Sequence, residues 1–553
     1  MSHDQTTLER TTISRRRALQ VGSAVAGAAA FGPVGRVAAG GRTVSRPVAT
    51  RNQETPQQGG TLVIGSIQEP ETLNPWLSAT TVASEVINFI YEPLTRVDAE
   101  GNHQPVLAAE VPTVENGGIS ADFQTYTYKL RSDVTWQDGT PFTADDVLFT
   151  YNAVANPEVN APGRINFQFI ESVTAPDPQT VVFALNAPHG AFLETWVTGI
   201  LPKHIFDGQD LNTTELNRAP SAGTGPYRFV EWRSGEVIIV ERNENYWRDG
   251  ANLDRIEYRI VPNSDSLLAM LEAGEIDMRY VMTAEHVPIV GELEDYVVSE
   301  TPAHAYFHFT INQQDPVLGD RLVRQALTYG LDKRTITETV LLDLVQPHYS
   351  PIAQPSWAYV EPNPKMEYDT ARAGQLLDEA GWTGEGTRQK DGEPLHIRLM
   401  SIAGDTERQQ VVQLAQAMWS EIGVEVEIEP VDLATFVSQS TEGTYQIAYG
   451  FWGYGVDPST YNGRWVSTSG SNFLKYNNPE VDQILTDALQ LVDREERKAL
   501  YARFQEIVIE DATNIWLYNR ILFDAVKTRV RGFVPNPGSG TNTWNAHEWW
   551  IAE

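Results

Sequence analysis

Not one of the 553 residues is a cysteine, and that absence limits the folds open to the chain before any other feature does. No disulfide can staple a small domain, no thiolate can hold a metal, and no lipid can be attached through a cysteine, so the interior must be held by buried apolar surface. The chain is long enough to supply it. One compact core is exceeded at this length, and two or three lobes of roughly 100 to 200 residues each are expected. Apolar residues make up 41% and aromatic residues 10%, a globular composition rather than a fibrous or disordered one.

The first forty residues differ in kind from the rest. "TISRRRALQ" sets Arg15, Arg16 and Arg17 before a weakly apolar run from Ala18 to Val34, and "RVAAGG" follows with small residues suited to cleavage after Ala39. Ser14, Arg15, Arg16 and Leu19 resemble the S-R-R-x-x-L pattern of a twin-arginine export signal. That resemblance implies a signal peptide over 1–39 and an exported protein, extracellular and associated with the cell surface. Residues 40–58 are polar and without apolar periodicity, which predicts a flexible linker. The apolar run falls short of the ~20 residues a spanning helix needs.

The formal net charge is -32, and lysines number only eight. The first 58 residues carry eight arginines against Asp4, Glu9 and Glu54, so the remainder is more acidic still. Phosphate binding needs a basic face, so nucleic acid and anionic lipid are excluded as partners. The acids are spread along the whole chain, a haloarchaeal-like balance that reads as adaptation to brine, where a Debye length of ~3 Å at 1 M salt silences self-repulsion. "GVEVEIEPVD" illustrates it: Val424, Val426 and Ile428 alternate with Glu425, Glu427 and Glu429, which predicts a strand with carboxylates on its wet face.

Strand and helix patterns are mixed throughout. "GGTLVIGSIQEPETLNPW" reads as a strand and a loop, and "TYTYKLRSDVTW" alternates like a strand. In "TADDVLFTYNAV", Thr143 and Asp146 have the spacing of a capping box. "DTERQQVVQLAQAMWSEIG" places Val411, Leu414, Ala415 and Met418 on one helical face and stops at Gly423, and Asp493 with Glu496 opens another helix. Enzyme signatures such as G-x-S-x-G, H-E-x-x-H and the phosphate loop are missing. His304 and His308 share a strand face with Tyr306 by period-2 spacing, two ligands where a metal needs three or four. No catalytic residue, cofactor or metal is expected.

Several stretches, in order, resemble the extracellular solute-binding proteins of family 5. They are "TYTYKLRSDVTWQDGTPFTADDVLFTYNAV" (125–154), "GTGPYRFVEWRSGEVIIVERNENYW" (223–247), "DRLVRQALTYGLDKRTI" (320–336) and "YNNPEVDQILTDAL" (476–489). That family serves peptide, nickel and some oligosaccharide importers of the ATP-binding cassette (ABC) type. The resemblance implies an α/β, two-lobed periplasmic-binding-protein fold of the large type II, with a subdomain inserted in lobe I. Lobe I is then expected at 59–75, 215–303 and 525–553, the insert at 76–214 and lobe II at 304–524. Crossings fall near "TPAHAYF" and "YNRILFDAV". A small solute, peptide or oligosaccharide, is expected to close the lobes of a monomeric receptor that delivers it to an ABC permease.

The same resemblance nominates the site. In peptide-binding members an Asp three positions before an Asp-Pro pairs with the peptide's α-ammonium. In "GFWGYGVDPSTYNGRW" the Asp-Pro is Asp457-Pro458, and the residue three before it is Tyr454. Either another acid such as Asp457 takes that role or the cargo is an oligosaccharide stacked on rings. Trp452, Gly453, Tyr454 and Asp457 are expected on one wall, Arg164, Phe167 and Trp196 on the other, and Asn74 in the first loop. A secreted glycan hydrolase is the alternative from a different class.

Overall fold

The structure is a computed structural model that describes residues 55–363, 365–453, 455–538 and 541–552. The signal, the linker up to residue 54 and Tyr454 lie outside the described residues. Thirteen strands position the site: Thr61–Ser66 (β1), Thr125–Lys129 (β2), Ile170–Asp177 (β3), Thr180–Leu185 (β4), Tyr227–Arg233 (β5), Val237–Arg242 (β6), Arg255–Ile260 (β7), Met278–Arg279 (β8), Tyr296–Ile311 (β9), His396–Ile402 (β10), Glu425–Val431 (β11), Ile447–Gly453 (β12) and Asn514–Lys527 (β13). Ten of them form one sheet in the order β11-β10-β12-β9-β13-β8-β1-β7-β6-β5. The other three, β2, β4 and β3, make a small antiparallel sheet of their own.

Two strands carry the sheet from one half to the other. β9 has 16 residues and β13 has 14, against a usual strand of 5 to 6 or so. Their antiparallel register breaks midway, where Pro302 lies opposite Ile521 and Tyr306 opposite Asn519. Three residues of β9 therefore face Arg520 alone. On one side of the break β13 goes on to pair with β8, through Met278 and Val526. On the other, β9 pairs with β12 from Ala305–Gly453 to Ile311–Ile447. The two lobes of the fold are thus sheet halves that share only β9 and β13.

Local sequence explains the elements. In β11, Val426 is buried and Glu425 and Glu427 are exposed, the alternation its spelling predicts. The helix Thr406–Glu421 is capped by Asp405, whose side chain accepts from Arg408 N, and it buries Val411, Ala415, Met418 and Trp419. Gly423, at φ +85°, ends the turn after it. Asp146 accepts from Thr143 N (2.9 Å) as the capping spacing implies, and also from Lys203 N (2.9 Å). A helix cap thereby becomes a buried tie between segments distant in sequence.

Three large apolar clusters pack on the sheet, and one of them runs across both halves, joining Leu267 and Ile276 to Phe309 and Trp419. Leu62, Ile64, Phe89, Trp136, Trp196 and Trp549 belong to one, while Trp452, Trp465 and Phe504 belong to another. The motif "GTGPYRF" enters the first by close backbone approach: Gly225 N donates to Ile90 O (2.8 Å), and a Cβ at Gly223 would stand 1.9 Å from the same oxygen. Gly223→Ala must push two backbones apart, so a loss of about 1–3 kcal/mol is expected, read as a lower urea midpoint at constant salt.

Candidate functional site

In open α/β sheets, ligands bind beyond the carboxyl ends of the parallel strands. For β12 that end is Phe451–Gly453, and β10 leads into the helix whose first turn carries Glu407. Period-2 alternation sends neighbouring side chains of β12 to opposite faces. On one face Phe307 lies between Phe451 (ring centroids 5.1 Å) and Tyr518 (4.9 Å). Phe307 and Phe451 are half-buried. The Arg520 guanidinium sits 5.1 Å from the Phe451 ring centroid, within cation–π range.

Acids surround that guanidinium from both halves. Glu407 accepts from Tyr518 Oη (3.1 Å), which also pairs with Tyr449 Oη (2.6 Å). Glu85 accepts from Tyr258 Oη (2.5 Å), and Asp524 accepts from Val281 N (2.9 Å) and from the Asn542 amide. Burial pushes Glu85 up to about 8, against the Tyr258 hydroxyl that favours its charge. Burial likewise raises Asp524 to about 6, against its hydrogen bonds and Arg520. Asp524, Glu407 and Glu85 all act electrostatically on the Arg520 guanidinium, opposing the loss of charge that burial favours.

The opposite face holds Trp452, 7% exposed. Its ring lies 4.2 Å from His308 and 5.4 Å from Trp465, with Arg464 5.3 Å away. His308 and Tyr306 do share this face, their rings 5.4 Å apart, and His308 Nε2 meets Thr310 Oγ1 at 2.8 Å. Among the described residues no group of three His, Asp or Glu side chains is placed to hold a metal ion.

The residues nominated from sequence fall into two separate groups. Phe167 and Trp196 stack at 5.4 Å and pack against Trp76, which the sequence did not nominate, and Asn74 ties the adjacent loop. Asn74 accepts from Trp76 N (3.0 Å) and donates to Asn217 Oδ1 (3.0 Å), and Arg164 donates to the carbonyls of Pro157 and Val159. These side chains are already engaged, Asn74 by the distant Asn217 and Arg164 by two nearby carbonyls. Trp452, Gly453 and Asp457 stand in the other half. Gly453 is exposed opposite Ala305, and a Cβ there would find only ordinary contact with Phe451 (3.5 Å).

Asp457 is not a free acid. Arg497 grips it through two hydrogen bonds, Nη1 to Oδ2 (2.5 Å) and Nη2 to Oδ1 (2.6 Å), and Ser459 N donates to Oδ1 (3.0 Å). Both side chains are buried. Burial opposes the charge of Asp457, but Arg497 outweighs it and holds the carboxyl below its ordinary value. Asp457 thus cannot stand in for the missing ammonium-binding acid without leaving Arg497 unpaired in the interior. The inserted segment meets this region through Gly190 N to Leu489 O (2.7 Å) and Arg494 Nη2 to Gly101 O (2.9 Å).

Sequence reasoning missed Phe307, Phe451, Glu407 and Arg520. The alternation in "FHF" and "GFWG" carried the signal for the two phenylalanines, and Arg520 is a lone charge in "WLYNRILF". A depression of about 630 Å³ between the helix Ala144–Ala155 and the loop Lys203–Asn212 involves none of these residues.

Residues 102–473, well over half of the chain, match the family described as bacterial extracellular solute-binding proteins, family 5. The chain belongs to this family. A curated relative of this family-5 protein is the oligopeptide-binding protein AppA of Bacillus subtilis, 29% identical over 530 residues, covering 93% of this chain and 96% of that one. The solved structure of that protein with a nonapeptide superposes with a TM-score of 0.76 at 28% identity, over 90% and 100% of the two chains. NikZ of Campylobacter jejuni, solved with Ni(L-His), does so with a TM-score of 0.76 at 29% identity, over 89% and 99%. The family consists of binding proteins, and the role of this member is binding rather than catalysis. Two relatives of equal similarity hold different solutes, so similarity alone does not choose the cargo. No helix of the described residues is long and apolar enough to cross a membrane.

Two outcomes are expected. Asp457→Ala strands a buried guanidinium and lowers stability by about 3–5 kcal/mol, measured by urea unfolding at constant salt. Glu85 keeps, when folded, a proton that the unfolded chain gives up above pH 4.5 or so. Its share of stability is therefore present below that pH and lost as pH rises through about 8. Melting of wild type relative to Glu85→Gln should fall between pH 5 and pH 8, by the equivalent of a few kcal/mol.

Proposed function

We propose that this protein is the solute receptor of an ABC importer, that it captures peptide-like solutes between its lobes, and that the closed form is handed to a membrane permease. The observation that carries the peptide reading is the edge of β12. β10 pairs with it only at Leu399–Ile447 and Met400–Ala448, so Tyr449–Gly453 are paired on one side alone, with β9. An extended peptide satisfies such an edge by main-chain hydrogen bonds and seats alternate side chains beside it. Phe451 and Phe307 offer half-buried apolar surface next to it. A sugar would instead need an open ring face, and the Trp452 ring is covered by His308 and Trp465.

The receptor works as a monomer, with 59–75, 215–303 and 525–553 as lobe I, 76–214 as its insert and 304–524 as lobe II. Closure turns about the register break at Pro302–Tyr306 and Asn519–Ile521. Export follows the twin-arginine route, in keeping with Ser14, Arg15, Arg16 and Leu19, and the acidic surface suits brine. Calorimetry in molar salt with pools of short peptides and with oligosaccharides tests the cargo: peptides should bind and raise the melting temperature by mass action, and sugars should do neither. Phe451→Ala should weaken peptide binding tenfold or more, about 1.4 kcal/mol per decade. Binding of oligosaccharides alone would overturn the peptide reading.

A further inference from the structure

One row of side chains across the shared strands is short of partners. Ser299 of β9 stands directly opposite Asp524 of β13, so the two side chains share a face of the sheet. On the other flank of Asp524, Val281 N donates to its Oδ1 (2.9 Å) from a left-handed backbone, φ +52°, a conformation rare for a β-branched residue. The preceding Tyr280 lies within electrostatic reach of the same carboxylate and of Glu85. Glu85 comes from the helix Thr81–Ile90, with its Oε2 held by Tyr258 Oη. All four side chains are buried, none more than 6% exposed. Ser299 Oγ and Tyr280 Oη nevertheless make no hydrogen bond with any described residue, and a buried hydroxyl left unsatisfied is costly. Charge is unbalanced at the same place. The guanidinium of Arg520 acts on both Glu85 and Asp524, one cation for two acids, so ionising both leaves one negative charge in the interior without a counter-charge.

We propose that Glu85, Asp524, Ser299 and Tyr280 hold a monovalent alkali cation between the helix Thr81–Ile90 and the paired strands β9 and β13. Two carboxylates and two hydroxyls make an oxygen-only donor set, the kind that hard cations take, and a deficit of one charge suits a single positive ion. The ion takes the place of a proton. Burial raises Glu85 to about 8 and Asp524 to about 6, so near neutral pH a proton supplies the missing charge, and the cation displaces it as pH rises. The other titratable group facing the pair is the Tyr258 phenol, which burial and Glu85 hold well above its ordinary value and so keep neutral. The site lies on the two strands that both halves share, on the side of the register break where β13 goes on to pair with β8. The bound ion therefore stiffens the strand pair against which closure turns. This inference does not depend on the peptide reading.

The test follows thermal melting of the protein at constant molar chloride, with choline exchanged for Na⁺ and, in parallel, for K⁺; choline is too large for a buried site. Near pH 8 wild type should melt higher in at least one alkali ion than in choline by roughly 3 °C or more, and near pH 5, where protons fill the role, by less. General solvent effects of the two salts persist in every variant, so the readout is the excess of wild type over variant. That excess should vanish in Glu85→Gln and fall by about half or more in Ser299→Ala and Tyr280→Phe, which keep every charge. Adding the alkali chloride to unbuffered wild type near pH 7 should also release a measurable fraction of one proton per chain, and adding it to Glu85→Gln should release none. Should Glu85→Gln fail to fold, the two hydroxyl variants decide. An alkali excess equal in wild type, Ser299→Ala and Tyr280→Phe overturns the proposal, since that is the signature of hydroxyls satisfied by water. Stabilisation by Ca²⁺ with none by Na⁺ or K⁺ overturns it as well.

Discussion

The pairing of β9 with β13 is the interaction on which everything else in this molecule depends. Two antiparallel strands hold both halves of a ten-stranded sheet, and every other strand joins on one side of their register break or the other. Ladder hydrogen bonds make each half stiff, and at the break three residues of β9 face one of β13. Bending is therefore cheapest where the ladder is already interrupted. The same interruption leaves Arg520 opposite three residues of β9, with its guanidinium over the Phe451 ring.

Charge burial takes two forms in this molecule. Several buried charges are matched inside the protein: Asp457 with Arg497, Asp277 with Arg529, Glu92 with the hydroxyl of Tyr246 and the indole of Trp247. Glu85 and Asp524 take the other course and hold their protons more tightly as water is removed. The Asp457–Arg497 pair also explains why an Asp-Pro sits in the loop after β12. Asp457 caps the short helix Pro458–Arg464 while anchoring it to the helix Arg494–Glu510.

Much of the local structure was legible in the residues. The alternation around Val426, the helical stripe of Val411, Ala415 and Met418, and the caps at Thr143 and Asp493 are short-range patterns, and short-range physics fixes them. The site was less legible. Trp452 drew attention because it is the larger ring, yet a one-residue step along a strand reverses the face, and it is Phe451 that meets Arg520. Asn74 and Arg164 looked available because their partners, Asn217 in one case and the Pro157 and Val159 carbonyls in the other, are visible only once the chain has turned back on itself.

By itself the sequence determined the family, the mixed α/β class, the acidic surface and the lack of any covalent staple, since each depends on composition, period or motif within a few dozen residues. Only the tertiary structure decided which acids are free, which rings are covered and where the sheet is interrupted. Those depend on contacts between residues as far apart as Glu85 and Tyr258, or Asp524 and Val281. No local pattern encodes such pairs, because side chains hundreds of residues apart become partners only through the path that β9 and β13 impose on the chain.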